Sequence, residues 1–171
     1  MYDVVAVIHD GATADRVLPV ACALANVAGA PVYAVDVSVL SWLSNPECVS
    51  WMWTADIGHS DPVIEARCRD ASACHGTVIT LRCIPETPMV SLMRILSETC
   101  AQGVVIAGTL RYGRCATWRW QWRWRCGPTS YGELANELRR VTRNWTLTVV
   151  TPDGTVGEFR PVLAAPPKGG R

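Results

Sequence analysis

Between Trp118 and Arg125, four tryptophans alternate with three arginines and one glutamine in the run WRWQWRWR. In an extended segment alternate side chains share a face, so the indoles would line one side and the polar groups the other. A helix would mix the same residues around its cylinder, so a ribbon or hairpin-like flap is expected. An indole face can cover apolar surface or stack on a flat base, and guanidinium groups hold phosphate through paired hydrogen bonds. Three uses stay open. The indoles can pack on this chain near Trp51 and Trp53, or on a second copy. They can form a lid over a base, with Arg111, Arg114 or Arg119 on phosphates. They can also meet an anionic lipid surface or stack with single-stranded nucleic acid.

A second set of candidate groups is acidic. Asp10 follows the apolar run DVVAVI, within His9-Asp10-Gly11, and Asp36 ends the run PVYAVDV. Each can cap a turn, or the two can hold a magnesium ion carried by a nucleotide. His9, His59 and His75 lack partners at metal-ligand spacing, so no resident metal is expected. No nucleophile and base stand in a pattern that marks a catalytic pair. The third apolar run ends in Arg82-Cys83-Ile84 without an aspartate, which excludes a phosphate-accepting receiver site.

Composition narrows the class. With 171 residues, 49% hydrophobic and 18% charged, the chain suits one globular domain with a sizeable core. A formal net charge of +1 argues against bulk nucleic-acid binding. Lys168 is the only lysine, so nearly every cation is an arginine. The eight cysteines contain no CxxC pair and fall largely on apolar faces, as reduced thiols of a cytoplasmic protein would. Cys115 and Cys126 flank the Trp/Arg run and could instead pair or sense oxidation. The opening MYDVVAVIHD has no basic segment and too short an apolar run for a secretory leader, and no stretch is long enough to cross a bilayer.

The elements that must position these groups alternate between strand and helix. Strands are expected at 3–8, 31–37, 77–83, 104–107 and 146–150, where short β-branched runs lie between turn residues. The first helix should run from Thr13 or Asp15 to Ala28, with Pro19 requiring a late start or a kink. Asp61-Pro62 and Thr87-Pro88 should open two more. The second helix should turn Ile64, Cys68, Ala71 and Cys74 inward. The third should bury Leu92, Ile95, Leu96 and either Thr99 or Cys100, and end at Gly103. Ser130 to Glu133 reads as a capping box for a last helix reaching about Arg143. Residues 38–60 and 108–130 read as long connections. Strands separated by helices imply a parallel, doubly wound sheet, which binds ligands at the carboxyl ends of its strands where their order reverses.

This ordered set resembles the universal stress protein family. RVLPVACALANVAGAPVYAVDV is similar to the family's first helix and second strand. ARCRDASACHGTVITLRCIPETPMVSLMRIL resembles its second helix through the start of its third helix. GVVIAGTLRYGR resembles its fourth strand and glycine loop, and GELANELRRVTRNWTLTVVTP its closing helix and strand. The resemblance implies an α/β fold, an open doubly wound five-stranded parallel sheet with strand order 3-2-1-4-5 and helices on both faces. It also implies a domain over 1–152, with the loop 108–130 as an insert and 153–171 as a partly disordered extension. ATP or another adenine nucleotide is the implied ligand, with Mg2+ entering only on the nucleotide. Homodimers would form through the last strand.

Carried onto this sequence, the implied nucleotide contacts are Asp10, Gly11, Val37, Gly108, Thr109, Arg111, Gly113, Ser130 and Gly132. His9 competes with Asp10, because the loop after strand 1 is one residue longer than usual. Arg111 stands where the family has a second glycine, and Gly113 follows two residues later. The closing glycine is either Gly127, followed by Pro128-Thr129, or Gly132, which suits the helix register better and puts Glu133 where a hydroxyl residue is usual. Backbone amides in a glycine loop can approach phosphate closely, whereas Arg111 would replace such contacts with its guanidinium. The expectation is a cytoplasmic binding and regulatory module, with slow ATP hydrolysis at most. Two rival readings remain. One is a nucleotide-free interaction protein that uses residues 118–125 on a partner or membrane surface. The other is an adenine-nucleotide-dependent hydrolase or transferase.

Overall fold

The computed structural model describes residues 3–38, 60–83, 88–108, 134–135, 138–139 and 145–160. Strands β1 (Val4–Ile8), β2 (Val32–Asp36), β3 (Ile79–Cys83), β4 (Gly103–Ala107), β5 (Thr146–Val150) and β6 (Val156–Phe159) form one sheet in the order β3-β2-β1-β4-β5-β6. The first five are parallel to their neighbours, and β6 runs antiparallel to β5. The doubly wound order 3-2-1-4-5 is present. The sheet has six strands where five were expected, because part of the expected extension folds onto β5.

The β-branched runs become strands because burial on both faces suits continuous apolar side chains. All five residues of β1 and of β4 are buried. Their alternating sides feed two cores. Val5, Val7, Val104 and Ile106 point to one face with Val35, Leu92, Leu134 and Leu138. Val4, Ala6, Ile8 and Val105 point to the other, beneath Val17, Leu18, Ala21 and Ile64. Full burial of each large aliphatic side chain contributes roughly 1.5–3 kcal/mol, so these two strands anchor the sheet.

Helix α1 (Gly11–Ala28) starts earlier than expected and passes through Pro19. A proline leaves the carbonyl four residues earlier unbonded. Both Pro19 and Asp15 are exposed, so water can satisfy that group. Helix α2 (Pro62–His75) has Asp61 as its cap and Pro62 in its first turn. Its expected stripe holds at Ile64 and Cys68, but Cys74 is exposed.

Helix α3 (Pro88–Glu98) buries Leu92 and Leu96, whereas Cys100 is exposed. Gly103 does not end this helix and is instead the buried first residue of β4. Cys100, with φ 49°, turns the chain in the left-handed region that glycine usually fills. Residues 134–135 and 138–139 are helical, within the span expected for the closing helix.

Strand β6 also changes the reading of the last parallel strand. The β5 edge expected to pair two copies is occupied within the chain, with Leu147 opposite Phe159 and Val150 opposite Val156. No helix among the described residues is long and apolar enough to cross a membrane.

Candidate functional site

β1 and β4 lie side by side, with Val7 in register with Ile106. Chain order reverses between them, since β2 and β3 continue on one side of β1 while β4 and β5 lie on the other. The carboxyl ends of β1 and β4 therefore flank the switch point where such sheets leave a crevice. Asp10 and Gly11 follow β1 on one side, and Gly108 follows β4 on the other. These three candidates share one edge of the sheet.

At the β1 side the polar groups are engaged in holding α1. Asp10 caps the helix, with its Oδ1 accepting from the Thr13 amide at 2.7 Å. The Thr13 hydroxyl accepts from the Asp10 and His9 amides, both at 2.9 Å. His9 Nδ1 lies 3.3 Å from the other Asp10 oxygen. Partial burial works to raise the Asp10 pKa, but the Thr13 and His9 interactions outweigh it and hold the carboxyl below its ordinary range. The ionised side chain is 52% exposed, so Asp10 still faces the edge. Its negative charge at the start of α1 makes that helix terminus unfavourable for phosphate.

Gly11 serves a close approach between helices, because a Cβ there would stand 2.9 Å from Val63 Cγ1. Val37 lies in the core with 0% exposure, and its amide donates to the Ile8 carbonyl at 2.7 Å. Its side chain packs in the core on the sheet face shared with Val5, Val7 and Val35.

Asp36 ends β2 with only 4% exposure. One of its oxygens accepts from the Ser38 amide at 2.8 Å and the other from the Asp61 amide at 3.1 Å. It thus ties together the two ends of the 38–61 connection. A carboxylate committed to two amides and shielded from water does not fit a magnesium site. Asp36 takes the turn-capping alternative, and no His/Cys/Asp/Glu group suited to a metal ion occurs among the described residues.

The thiols nearby are structural. Burial pushes Cys68 up to about 11, helped by the charge of Asp36, by Cys22 and by Glu65. Burial also raises Cys22, against a bond from Thr77, and raises Cys83, against a bond from Ser60. Cys22, Cys68 and Cys83 are free thiols, and their raised pKa keeps them protonated and poorly reactive.

At the β4 side the sheet presents backbone. The Gly108 amide donates to the Val150 carbonyl at 2.9 Å, extending the ladder by one residue. A Cβ at Gly108 would lie 3.2 Å from Val149 Cγ1 and 3.8 Å from Ala135 Cβ. The glycine thus lets β4, β5 and the helical residue Ala135 converge at the edge. Thr109, Arg111, Gly113, Ser130, Gly132 and the Trp118–Arg125 run lie outside the described residues.

A groove of about 460 Å³ lies elsewhere, between α2 and β3, lined by Cys68, Ser72, Ile79 and Leu81 among others. Its rim charges Arg69 and Glu65 pair with each other at 3.6 Å. Sequence reading had not marked this groove. The α2 residues that line it mix charged, hydroxyl and small side chains and form no recognisable motif.

No protein-family model matches this sequence, and no curated protein matches it. Among solved structures, the chain is similar to the universal stress protein from Archaeoglobus fulgidus, with 18% identity and a TM-score of 0.42 over 67% of this chain and 82% of that one. It is also similar to the universal stress protein from Archaeoglobus fulgidus in complex with dAMP, with 23% identity and a TM-score of 0.41 over 66% of this chain and 83% of that one.

Proposed function

We propose that this chain is an adenine-nucleotide-binding regulatory module that takes ATP or a related nucleotide in the crevice between β1 and β4. The observation that carries the reading is the parallel pairing of β1 with β4 at the point where strand order reverses. This pairing brings Asp10 and Gly108 to one edge, in the place where doubly wound sheets hold ligands. The electrostatics suggest an orientation. The ionised Asp10 disfavours phosphate at α1 and suits the hydroxyl groups of a sugar, so the phosphates should point toward Gly108. Thr109, Arg111, Gly113, Ser130 and Gly132 are proposed to complete the phosphate side, and any Mg2+ arrives on the nucleotide. Asp10 and Asp36, the carboxylates nearest the crevice, both hold backbone amides, which favours binding with slow hydrolysis at most over rapid turnover, and the proposed location is the cytoplasm.

The test is calorimetric titration of the full chain with ATP, ADP, AMP and GTP. Saturable binding of the adenine nucleotides supports the proposal. Absence of heat and of any thermal shift at millimolar ATP overturns it in favour of a nucleotide-free interaction protein. ATP turnover at ordinary enzymatic rates points instead to a hydrolase or transferase.

A further inference from the structure

Without β6, strand β5 would end the sheet with a row of unpaired N–H and C=O groups beside the buried Leu147, Val149 and Val150. An edge of that kind templates pairing with another chain, and folded proteins cover or charge it. Here β6 covers all of it but Thr146, with Leu147, Thr148, Val149 and Val150 opposite Phe159, Glu158, Gly157 and Val156.

Two anchors hold β6 in place. The first is the turn Thr151-Pro152-Asp153-Gly154-Thr155. The Thr151 amide donates to the Thr155 carbonyl at 2.9 Å, and the Gly154 amide donates to the Thr151 carbonyl at 3.0 Å. The Asp153 carboxylate accepts from the Thr151 hydroxyl, and from the Thr155 hydroxyl at 3.1 Å. Gly154 has φ 82°, a conformation that side-chain-bearing residues adopt only with strain. The second anchor is Phe159, which packs against the core while the Arg139 guanidinium stands 4.5 Å above its ring.

The outer side of β6 has a different character. The strand is four residues long, contains Gly157, and ends in the exposed ion pair between Arg160 and Glu158 at 3.3 Å. Short length and charge are features that discourage further pairing.

We infer that β6 is a guard strand, occupying the β5 edge within the chain and thereby preventing antiparallel pairing with β5 of a second copy. Two β5 edges are identical, so the competing contact would be a two-fold, self-complementary one. A strand tethered by a short turn competes at an effective concentration on the order of millimolar, so a second copy at micromolar concentration loses while both anchors hold. Loosening the anchors should turn a closed edge into a dimerisation edge.

The experiment compares the mass of the full-length protein in solution across the micromolar range with hydrogen exchange of the Leu147 and Val149 amides. Alternation turns these two toward β6, because the Thr146 amide donates to the Gln102 carbonyl beside β4. The wild type should keep these amides protected at every concentration, without self-association through this edge. The double variant Gly154→Val with Phe159→Asp should lose their protection when dilute. It should regain that protection when concentrated, as its mass doubles. Arg139→Gln removes the guanidinium over the Phe159 ring while leaving the turn and Phe159 in place, and should shift the same transition by less if the double variant does not fold. The inference is overturned if the released amides exchange freely in a protein that stays monomeric throughout. It is also overturned if the wild type already pairs through β5 with a mass that neither change alters.

Discussion

The two sides of the β1–β4 crevice are built in opposite ways. On the β1–β2 side, acidic groups are spent on the fold. Asp10 caps α1, and Asp36 joins the two ends of the 38–61 connection. On the β4 side, the described chain offers the bare backbone of Gly108, packed so closely that a methyl group would press on Val149. A carboxylate beside a crevice is thus a poor guide to ligand chemistry until its hydrogen bonds have been counted. A glycine that is tightly packed can still mark where a ligand approaches the main chain. Changes at Asp36 and Gly11 should act mainly on stability, and changes at Gly108 and Asp10 should act on nucleotide affinity as well.

The largest effect should come from Asp36→Ala. It leaves two partly buried amides without their charged acceptor, at a cost of about 3 kcal/mol. Thermal melting should therefore show a fall of several degrees with little change in nucleotide affinity per folded molecule. A large loss of affinity without loss of stability would break the contrast.

Gly108→Val comes next, with about 2 kcal/mol of overpacking and an affinity for ATP at least roughly tenfold weaker, read by calorimetry. A stable variant with unchanged affinity would remove Gly108 from the site. Gly11→Ala tests the opposite wall, where the new methyl meets Val63. It should cost about 1 kcal/mol in denaturant unfolding while leaving binding nearly intact.

Asp10→Ala should cost about 1 kcal/mol through the lost cap, and the cost should depend on pH. The Asp10 pKa is lowered in the folded protein, so its ionised form contributes stability above the ordinary value of 3.8. That contribution disappears as pH falls through the folded-state value. The gap between wild type and variant should therefore be full at neutral pH and close in acid. A gap that widens in acid would contradict the assignment. Arg67→Ala removes an exposed ion pair with Asp15 at 3.2 Å and should change stability by no more than about 0.5 kcal/mol.

Much of this architecture was legible because strands buried on both faces leave unmistakable apolar runs, as in VVAVI, GVVIA and TLTVV. Asp61-Pro62 also marked the start of α2 correctly. The failures have physical causes. β6 was missed although Pro152-Asp153-Gly154 is a strong turn signal. The four residues VGEF carry one glycine and one charge, too weak a pattern to read as a strand. Gly103 misled because the left-handed turn after α3 is made by Cys100, which left the glycine free to enter β4. The placement of Asp10 and Gly108 at one edge was readable from strand order. The bond from the Asp61 amide to Asp36 spans 25 residues, and nothing local announces it.

Hydrogen exchange with and without saturating ATP tests the central claim most directly, because it reports where the nucleotide lies. The account predicts slower exchange at the 9–13 and 107–108 amides, with the α2–β3 groove unchanged. Protection confined to that groove, or no change at either side of the crevice while ATP is demonstrably bound, would contradict it.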